Sequence, residues 1–200
     1  MEEKSNSNFY ALIGRMKYIN RWGLMRSSIS ENIEGHSFQV SVIAHALAVI
    51  GNQFFNGTYN AEKIALYGLY HDASEIITGD MPTPVKYYNP EIKQAYQQVE
   101  EISKHRLLGM LPAELQPVYE EILFFEEKDK ACYSIVKAAD RISAYIKCIE
   151  ELNAGNSEFA DAANTIRESI VALKLPEVDY FMEHCIEGFR LTLDQLTGEE

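Results

Sequence analysis

The spacing of apolar residues is the feature that most restricts the fold of this chain. Apolar residues recur every three to four positions along nearly all of its apolar segments, as they do on one face of an α-helix. The alternation of apolar and polar residues that is typical of strands is hard to find. The pattern therefore predicts an all-α fold. The 200 residues, 46% of them hydrophobic, are enough for one domain with a continuous core.

Helix boundaries are predicted from capping residues and helix breakers. Gly79, Pro82 and Pro84 predict a loop between Thr78 and Asn89. The helix that follows His36 is expected to be largely buried, because most of its positions are apolar. The predicted helices run from about Phe9 to Ile19, Ser37 to Phe55, Ala61 to Ile77, Pro90 to Gly109, Pro112 to Phe125, Asp129 to Ala154, Glu158 to Leu173 and Val178 to Leu196.

The charge of the chain disfavours a nucleic-acid polymer as its partner. The formal net charge is −12, whereas affinity for DNA or RNA comes largely from Lys and Arg side chains that neutralise successive phosphates. A small anionic substrate remains compatible with this charge. A bound cation and one or two well-placed basic side chains set the field inside a site.

Cysteine usage and the N-terminal residues predict a cytoplasmic protein without a membrane anchor. Cys132, Cys148 and Cys185 are odd in number and far apart, so we expect reduced, partly buried thiols rather than disulfides or a thiolate metal site. Met1 to Asn8 lacks the basic start and apolar run of a signal peptide. No apolar stretch is expected to span a membrane.

Two histidines and two aspartates stand out against their apolar surroundings. His36 precedes one predicted helix, His71 and Asp72 lie near the end of another, and Asp140 lies in a largely apolar third helix. Imidazole nitrogens and carboxylate oxygens suit a borderline divalent cation such as Mn²⁺, Fe²⁺, Co²⁺ or Zn²⁺. The adjacent pair alone favours a plain polar helix end, because neighbouring helix residues diverge by about 100°. The order His, His-Asp, Asp favours the metal interpretation.

Glu75 follows His71 by four residues and Asp72 by three, so a continuous helix would place it on the same face. This position suits a catalytic base beside a metal ion. The alternative is a solvated Glu in a helix C-terminal turn, which the helix dipole mildly disfavours. His45, His105 and His184 are not assigned to the metal.

The order of these residues is similar to the signature of the HD superfamily. The segment from Tyr70 to Tyr87 resembles the bacterial 5′-deoxynucleotidase family almost residue for residue. One departure is Glu34-Gly35-His36, where that family usually has Glu directly before the first metal histidine. The resemblance extends from about Phe9 to Leu196 and includes Ile19 to Arg26, His36 to Val40, Val136 to Asp140, Ala144 to Leu152 and Asp179 to Glu183.

The resemblance implies an all-α, single-domain HD-type helical bundle over residues 1–200, with its core at about 9–196. It implies a homodimer with one divalent metal ion, Co²⁺, Mn²⁺ or similar, that hydrolyses 2′-deoxyribonucleoside 5′-monophosphates to deoxynucleoside and phosphate. The implied metal ligands are His36, His71, Asp72 and Asp140. The implied catalytic residues are Glu75, Arg21 and Asp72. The implied substrate contacts are Arg21 at the phosphate, Trp22 at the sugar, and Asp72, Asp80, Met81, Pro82 and Thr83.

Other interpretations remain open from the sequence. Arg21 alone would more readily be a solvent-exposed Arg, whereas an ordinary core residue is an equal alternative for Trp22. HD proteins share their metal ligands across several phosphate substrates, so a nucleoside triphosphate or a cyclic phosphodiester is an alternative substrate. A regulatory nucleotide-binding module without activity is a third possibility. The presence of Glu75 together with all four ligands disfavours it.

Overall fold

The computed structural model describes residues 7–86, 88–125 and 129–198, apart from the side chain of Thr83. Within these residues the secondary structure is helical, and the one extended pairing is an isolated bridge between Asn20 and Asn32. The prediction of an all-α fold is confirmed. The limits predicted for the domain, 1–200 with a core at about 9–196, stay a prediction.

The helices are numbered here in chain order, leaving short 3-10 segments unnumbered. Such segments cover Met16–Tyr18, Ser157–Phe159 and Ile186–Arg190. The α-helices are α1 (Phe9–Ile13), α2 (Ile33–Phe54), α3 (Ala61–Tyr70), α4 (Glu75–Thr78), α5 (Thr83–Lys86), α6 (Pro90–Leu108), α7 (Gln116–Leu123), α8 (Lys130–Asn153), α9 (Ala160–Val171), α10 (Pro176–His184) and α11 (Leu193–Thr197).

Side-chain caps fix the starts of the longest helices. Asn32 accepts a hydrogen bond from the backbone N–H of the third helical residue at the start of α2, and Asn60 does the same for α3. Asn89 caps α6 and Asp129 caps α8 in the same way. Each cap satisfies a backbone donor that has no partner within its helix.

The main core lies between α2, α3 and α8, with α9 and α10 packed against them. Gly68 of α3 lets the backbone of α2 come close, since a Cβ at this position would lie 2.9 Å from the Cα of Ser41. A smaller apolar cluster contains Phe9, Leu107 and Leu123. The close packing of α2 against α3 and α8 fixes the relative positions of His36, His71 and Asp140.

The predicted helix from Ala61 to Ile77 is wrong in one respect, because it breaks at the residues of greatest interest. Helix α3 ends at Tyr70, residues 71–74 form turns, and α4 begins at Glu75. The His71 side chain binds the backbone carbonyl of Gly68, which a continuing helix would use for its own N–H. Glu75 therefore reaches the same region through a turn and not through helical spacing.

Several other predicted boundaries are also corrected. The first helix ends at Ile13, and a 3-10 turn replaces its second half. The predicted loop from Thr78 to Asn89 contains α5, in which Pro84 occupies the first turn, where no backbone donor is needed. The helix predicted from Pro112 to Phe125 is limited to Gln116–Leu123, and the one predicted from Val178 to Leu196 is divided into three segments.

Helix α2 is less buried than predicted, because Phe38 and Val42 are exposed on its outer face. It also begins at Ile33, so His36 lies in its first turn and not before it. By length and composition α2 is the one described helix that could cross a membrane, which corrects the expectation that no stretch would qualify. Its inner face forms the centre of the main core. All three cysteines are free thiols, as predicted.

Candidate metal and active site

A cavity of about 560 Å³ lies beside the end of α3, a volume typical of small-molecule sites. Its walls come from the Arg21–Met25 segment, the turn before α4, the loop that begins at Asp80, and helices α8 and α9. The polar side chains on its walls include Arg21, Asp72, Glu75, Asp80, Lys137 and Asp140, while Trp22, Met81 and Pro82 contribute apolar surface.

The four predicted metal ligands lie close together, with Asp72 and Asp140 on the cavity wall and His36 and His71 buried next to them. Ligand atoms of His36, His71 and Asp72 lie within 4.8 Å of one another. The Nε2 atom of His36 is 3.2 Å from Oδ1 of Asp140 and 3.6 Å from Oδ2 of Asp72. The Nε2 atom of His71 lies 3.1 Å from Oδ2 of Asp72.

A buried relay fixes the orientation of His36. Its Nδ1 lies 3.0 Å from the Ser143 hydroxyl, which itself donates to the Oε1 of Gln39 at 2.6 Å. Because the Ser143 proton is used in that bond, Nδ1–H of His36 is the donor and Nε2 is left with a lone pair. Burial, and then the charge of Arg21, lower the pKa of His36. The neutral ring therefore presents a ligand nitrogen to the two carboxylates.

The ring of His71 is oriented by a hydrogen bond to the backbone. Its Nδ1–H donates to the carbonyl of Gly68 at 2.7 Å, so Nε2 again faces the cluster, where it has no hydrogen-bond partner among the described residues. Burial acts to lower the pKa of His71, but the attraction of Asp72 outweighs it and raises that pKa. Asp72 thus stabilises positive charge beside this nitrogen.

The donor set fits a divalent cation. Two imidazole nitrogens with their lone pairs directed inward face two carboxylates, and facing acceptors repel unless a positive charge lies between them. Each histidine is oriented by a hydrogen bond from its other nitrogen, which is the usual support for metal-binding histidines. This arrangement of His36, His71, Asp72 and Asp140 could hold one metal ion.

Glu75 lines the cavity next to this cluster with its side chain buried. Its Oε2 atom has no hydrogen-bond partner among the described residues. Burial, followed by the charges of Asp72 and Asp80, raises the pKa of Glu75 to about 10. The metal-free protein therefore holds Glu75 protonated at neutral pH. A group with such a displaced pKa is a candidate for proton transfer.

Arg21 reaches into the site and is not a solvent-exposed side chain. Its Nε donates to Oε2 of Glu31 at 3.0 Å, and its Nη1 donates to Oδ2 of Asp72 at 3.4 Å. Nη1 also lies 4.0 Å from Oδ1 of Asp80. The Arg21 side chain is only 12% exposed, so the prediction that it faces the cavity is preferred over the alternative.

Trp22 both lines the cavity and packs against the main core. Its indole N–H donates to Oε2 of Glu31 at 2.7 Å, and its ring lies 5.3 Å from that of Phe159. Its φ of 60° is in the left-handed region, which costs a non-glycine residue about 1–3 kcal/mol. Backbone strain of this kind is often found at ligand sites.

The loop after α4 supplies part of the predicted substrate wall. Asp80, Met81 and Pro82 line the cavity. The side chain of Thr83 lies outside the described residues, so its predicted contact remains a prediction. Lys86 also lines the cavity and pairs with Glu100 at 2.9 Å.

Sequence reasoning missed Glu31, Gln39 and Ser143. A signal existed for two of them: Gln39 follows His36 by three residues and Ser143 follows Asp140 by three, which is the spacing of one helix face. Gly35, the departure from the family pattern, is exposed on α2, and a Cβ there would make only an ordinary contact of 3.6 Å with Asn32. The first histidine is positioned without help from residue 35.

Comparison with known proteins identifies the family. A family model for YfbR-like 5′-deoxynucleotidases matches residues 8–189. The 5′-deoxynucleotidases of Photorhabdus temperata and Photobacterium profundum are 50% and 49% identical to this chain over 191 residues. Those alignments cover 96% of this chain and 97% and 98% of the relatives. The chain belongs to the YfbR-like 5′-deoxynucleotidase family.

Solved structures of lower identity share the fold of this YfbR-like family member. An HD-domain phosphohydrolase from Listeria innocua is 22% identical and superposes with a TM-score of 0.80 over 96% of each chain. The HD phosphohydrolase of cyanophage S-2L, bound to dA and one catalytic Zn²⁺ ion, is 19% identical with a TM-score of 0.63. That match covers 94% of this chain and 98% of the phage protein. The prediction of an HD-type helical bundle is confirmed.

Removing the Ser143 hydroxyl is expected to weaken metal binding by roughly tenfold or more, because His36 Nδ1–H then loses its acceptor and the ring its orientation. Titration of the metal-free S143A variant with Mn²⁺ by calorimetry measures this change. The matched control is S134A on the same helix, where the exposed hydroxyl donates only to the backbone carbonyl of Lys130. Equal affinity in S143A and the wild type would contradict the relay.

Proposed function

We propose that this protein is a divalent-metal-dependent 5′-nucleotidase that hydrolyses 2′-deoxyribonucleoside 5′-monophosphates to deoxynucleoside and phosphate. The observation that supports it best is that His36, His71, Asp72 and Asp140 come together beside a cavity large enough for a mononucleotide, whose wall includes Asp72, Asp140 and Arg21. Relatives that are about half identical over nearly the whole chain are named 5′-deoxynucleotidases.

In this proposal His36, His71, Asp72 and Asp140 hold one divalent ion, Co²⁺, Mn²⁺ or a similar cation. When bound, such an ion neutralises charge on a phosphate dianion and lowers the pKa of a water molecule. The cyanophage protein holds Zn²⁺, which supports zinc, another of the cations that the donor types suit. The mixed nitrogen and oxygen donor set is compatible with all three ions.

Arg21 would recognise the phosphate of the nucleotide, and Trp22 would recognise its sugar. One N–H of Arg21 is used by Glu31 and one by Asp72, and the remaining Nη N–H groups are left for phosphate oxygens. The indole of Trp22 would pack against the deoxyribose and leave a 2′-hydroxyl without space or a partner, which disfavours ribonucleotides. Asp80 would accept from the 3′-hydroxyl, and Asp72, Met81, Pro82 and Thr83 would complete the substrate wall.

Glu75 would handle the proton of the reaction. Its Oε2 has no hydrogen-bond partner among the described residues, so it is available to a water molecule in the cavity. A carboxyl with a raised pKa is a stronger base once it is ionised, and it retains the proton that it accepts. The positive charge of a bound cation would lower the pKa of Glu75, so that its carboxylate could remove the proton of the attacking water. The leaving 5′-oxygen would receive a proton directly from the site, through Asp72, or from solvent.

The function is tested by a phosphate-release screen. With Co²⁺ or Mn²⁺ added, we expect multiple turnovers on dAMP and the other deoxynucleoside monophosphates, much slower turnover on AMP, and loss of all activity with a chelator. A preference for dATP or a cyclic phosphodiester would favour the alternative substrates of the HD fold. Absence of turnover on every nucleotide would favour a regulatory binding module.

Changing Glu75 to Gln is expected to leave metal bound and to lower turnover by about 100-fold or more, because the amide cannot accept a proton. Metal content by elemental analysis and steady-state kinetics measure the two effects. E120Q on α7 is the matched control, since Glu120 is exposed and its helix does not line the cavity. Wild-type turnover in E75Q would remove Glu75 from the mechanism.

The same variant has a second readout in the metal-free protein. Folded Glu75 keeps its proton up to about pH 10, whereas the unfolded chain releases it near pH 4.5. Between these values the folded state binds more protons, so wild-type stability falls as pH rises, by at most about 1.4 kcal/mol per pH unit from this group. E75Q lacks this contribution, and denaturant unfolding at several pH values would show a flatter profile for it than for E120Q.

We also propose that the protein works in the cytoplasm as a homodimer, as the family resemblance implies. The exposed Phe38 and Val42 lie one turn apart on α2 and offer apolar surface to a second copy. Sedimentation equilibrium at micromolar concentration is then expected to give twice the mass of one chain. The mass of a single chain under these conditions would contradict the dimer.

A further inference from the structure

One carboxylate oxygen holds both side chains that would recognise the substrate. Oε2 of Glu31 accepts from Nε of Arg21 at 3.0 Å and from Nε1 of Trp22 at 2.7 Å. The Glu31 and Arg21 side chains are 15% and 12% exposed. These contacts are therefore largely protected from solvent. Away from water, a hydrogen bond to a charged group constrains geometry more strongly.

We propose that Glu31 is a positioning residue for substrate specificity, whose single carboxylate sets the guanidinium that faces the phosphate and the indole that faces the sugar. The proposal rests on the function proposed above for the same cavity. In this proposal Glu31 contributes to the preference for deoxyribose indirectly, through Arg21 and Trp22.

Glu31 determines which edge of the Arg21 guanidinium faces the cavity. The Nε–H points to Glu31, so the Nη groups point the other way, toward Asp72 at 3.4 Å and Asp80 at 4.0 Å. Without Glu31 the attraction of those two carboxylates would be unopposed. The guanidinium would then be drawn toward Asp72, one of the proposed metal ligands, and away from the phosphate.

Glu31 also restrains Trp22 in a backbone conformation that few side chains adopt. Trp22 has φ = 60°, so its placement requires restraints from its surroundings. The indole packs against the main core, including the ring of Phe159 at 5.3 Å, and its N–H donates to Glu31. Loss of Glu31 removes the only one of these contacts that fixes the direction of the indole N–H.

The loop from Ile19 to Ile33, which carries Arg21, Trp22 and Glu31, is closed at its ends by backbone hydrogen bonds that do not involve the Glu31 side chain. The backbone N–H of Arg21 donates to the carbonyl of Glu31 at 2.9 Å, and the N–H of Ile33 donates to the carbonyl of Ile19 at 3.0 Å. Asn20 and Asn32 form the isolated bridge between them. The Glu31 side chain is thus presented from a closed loop whose ends stay in place when it is changed.

The middle of this loop has a second, independent anchor on α8. The buried carboxylate of Glu151 accepts from the backbone N–H groups of Ser28 and Ile29 and from the Ser28 hydroxyl, and it is paired with the buried Lys147. Lys147 also donates to the carbonyl of Ile29 at 2.5 Å. Because this anchor does not depend on Glu31, truncation of Glu31 should disturb Arg21 and Trp22 without unfolding the loop.

The test uses the full chain with E31A, E31Q and the control E120A, and it exploits Trp22 as the one tryptophan of the sequence. In E31A we expect the Trp22 emission maximum to move to longer wavelength, as the indole becomes more hydrated. We also expect the ratio of kcat/KM for dAMP over AMP to fall roughly tenfold. In E31Q we expect a smaller emission shift and a smaller fall in the dAMP/AMP ratio than in E31A. Its amide oxygen still accepts from the indole N–H but lacks the charge that attracts Arg21.

Unchanged emission or an unchanged dAMP/AMP ratio in folded E31A would overturn the proposal. If E31A fails to fold, the same two readouts on E31Q decide it, with no change in either counting against Glu31. A wild-type protein that releases no phosphate from any nucleotide would instead refute the proposed function. The emission measurement needs no turnover, so it would still test whether Glu31 positions Trp22.

Discussion

The structure depends on the packing that brings two histidines and two carboxylates together, an arrangement that a positive charge at its centre would stabilise. His36 and His71 direct their Nε2 atoms toward the carboxylates of Asp72 and Asp140, and the Nε2 of His71 lies 3.1 Å from Oδ2 of Asp72. Burial makes such an arrangement unfavourable unless a proton or a cation lies between the groups. The close packing of α2, α3 and α8 holds the acceptors together, so the energy of the apolar core maintains an arrangement that the polar groups alone would not adopt.

Rigidity around the cavity comes from polar contacts behind the side chains that face it. Ser143 and Gln39 orient His36, the Gly68 carbonyl orients His71, and Glu31 orients Arg21 and Trp22. Each partner is buried or partly buried, so its hydrogen bond competes little with water. Groups that face a substrate need this support, since binding and reaction depend on donors being in place before the substrate arrives.

The sequence predicts the helical fold, because the fold depends on apolar spacing within helices. The family pattern names four candidate metal ligands, which the structure brings close together, and their role as ligands stays a prediction. The break after Tyr70 was not predictable from spacing, since it depends on a bond between the His71 side chain and a carbonyl one turn earlier. Glu31 was missed because it lies ten residues from Arg21, across a loop whose closure has no periodic signal. Exposure of Phe38 was missed because an apolar residue on a helix does not reveal which face is covered.

The charges on the cavity wall explain how so acidic a protein can accept an anionic substrate. Glu75 keeps its proton at neutral pH in the metal-free site, so it adds no charge there. Among the described residues of the wall, the remaining carboxylates and the basic side chains are then equal in number, four of each: Asp72, Asp80, Asp140 and Asp161 against Arg21, Lys86, Lys137 and Arg141. A site of this balance has little attraction for a phosphate dianion by itself, whereas one divalent ion gives it two positive charges, equal and opposite to those of the phosphate. Local charge and net charge are thus separable, and the metal ion would determine the sign of the site.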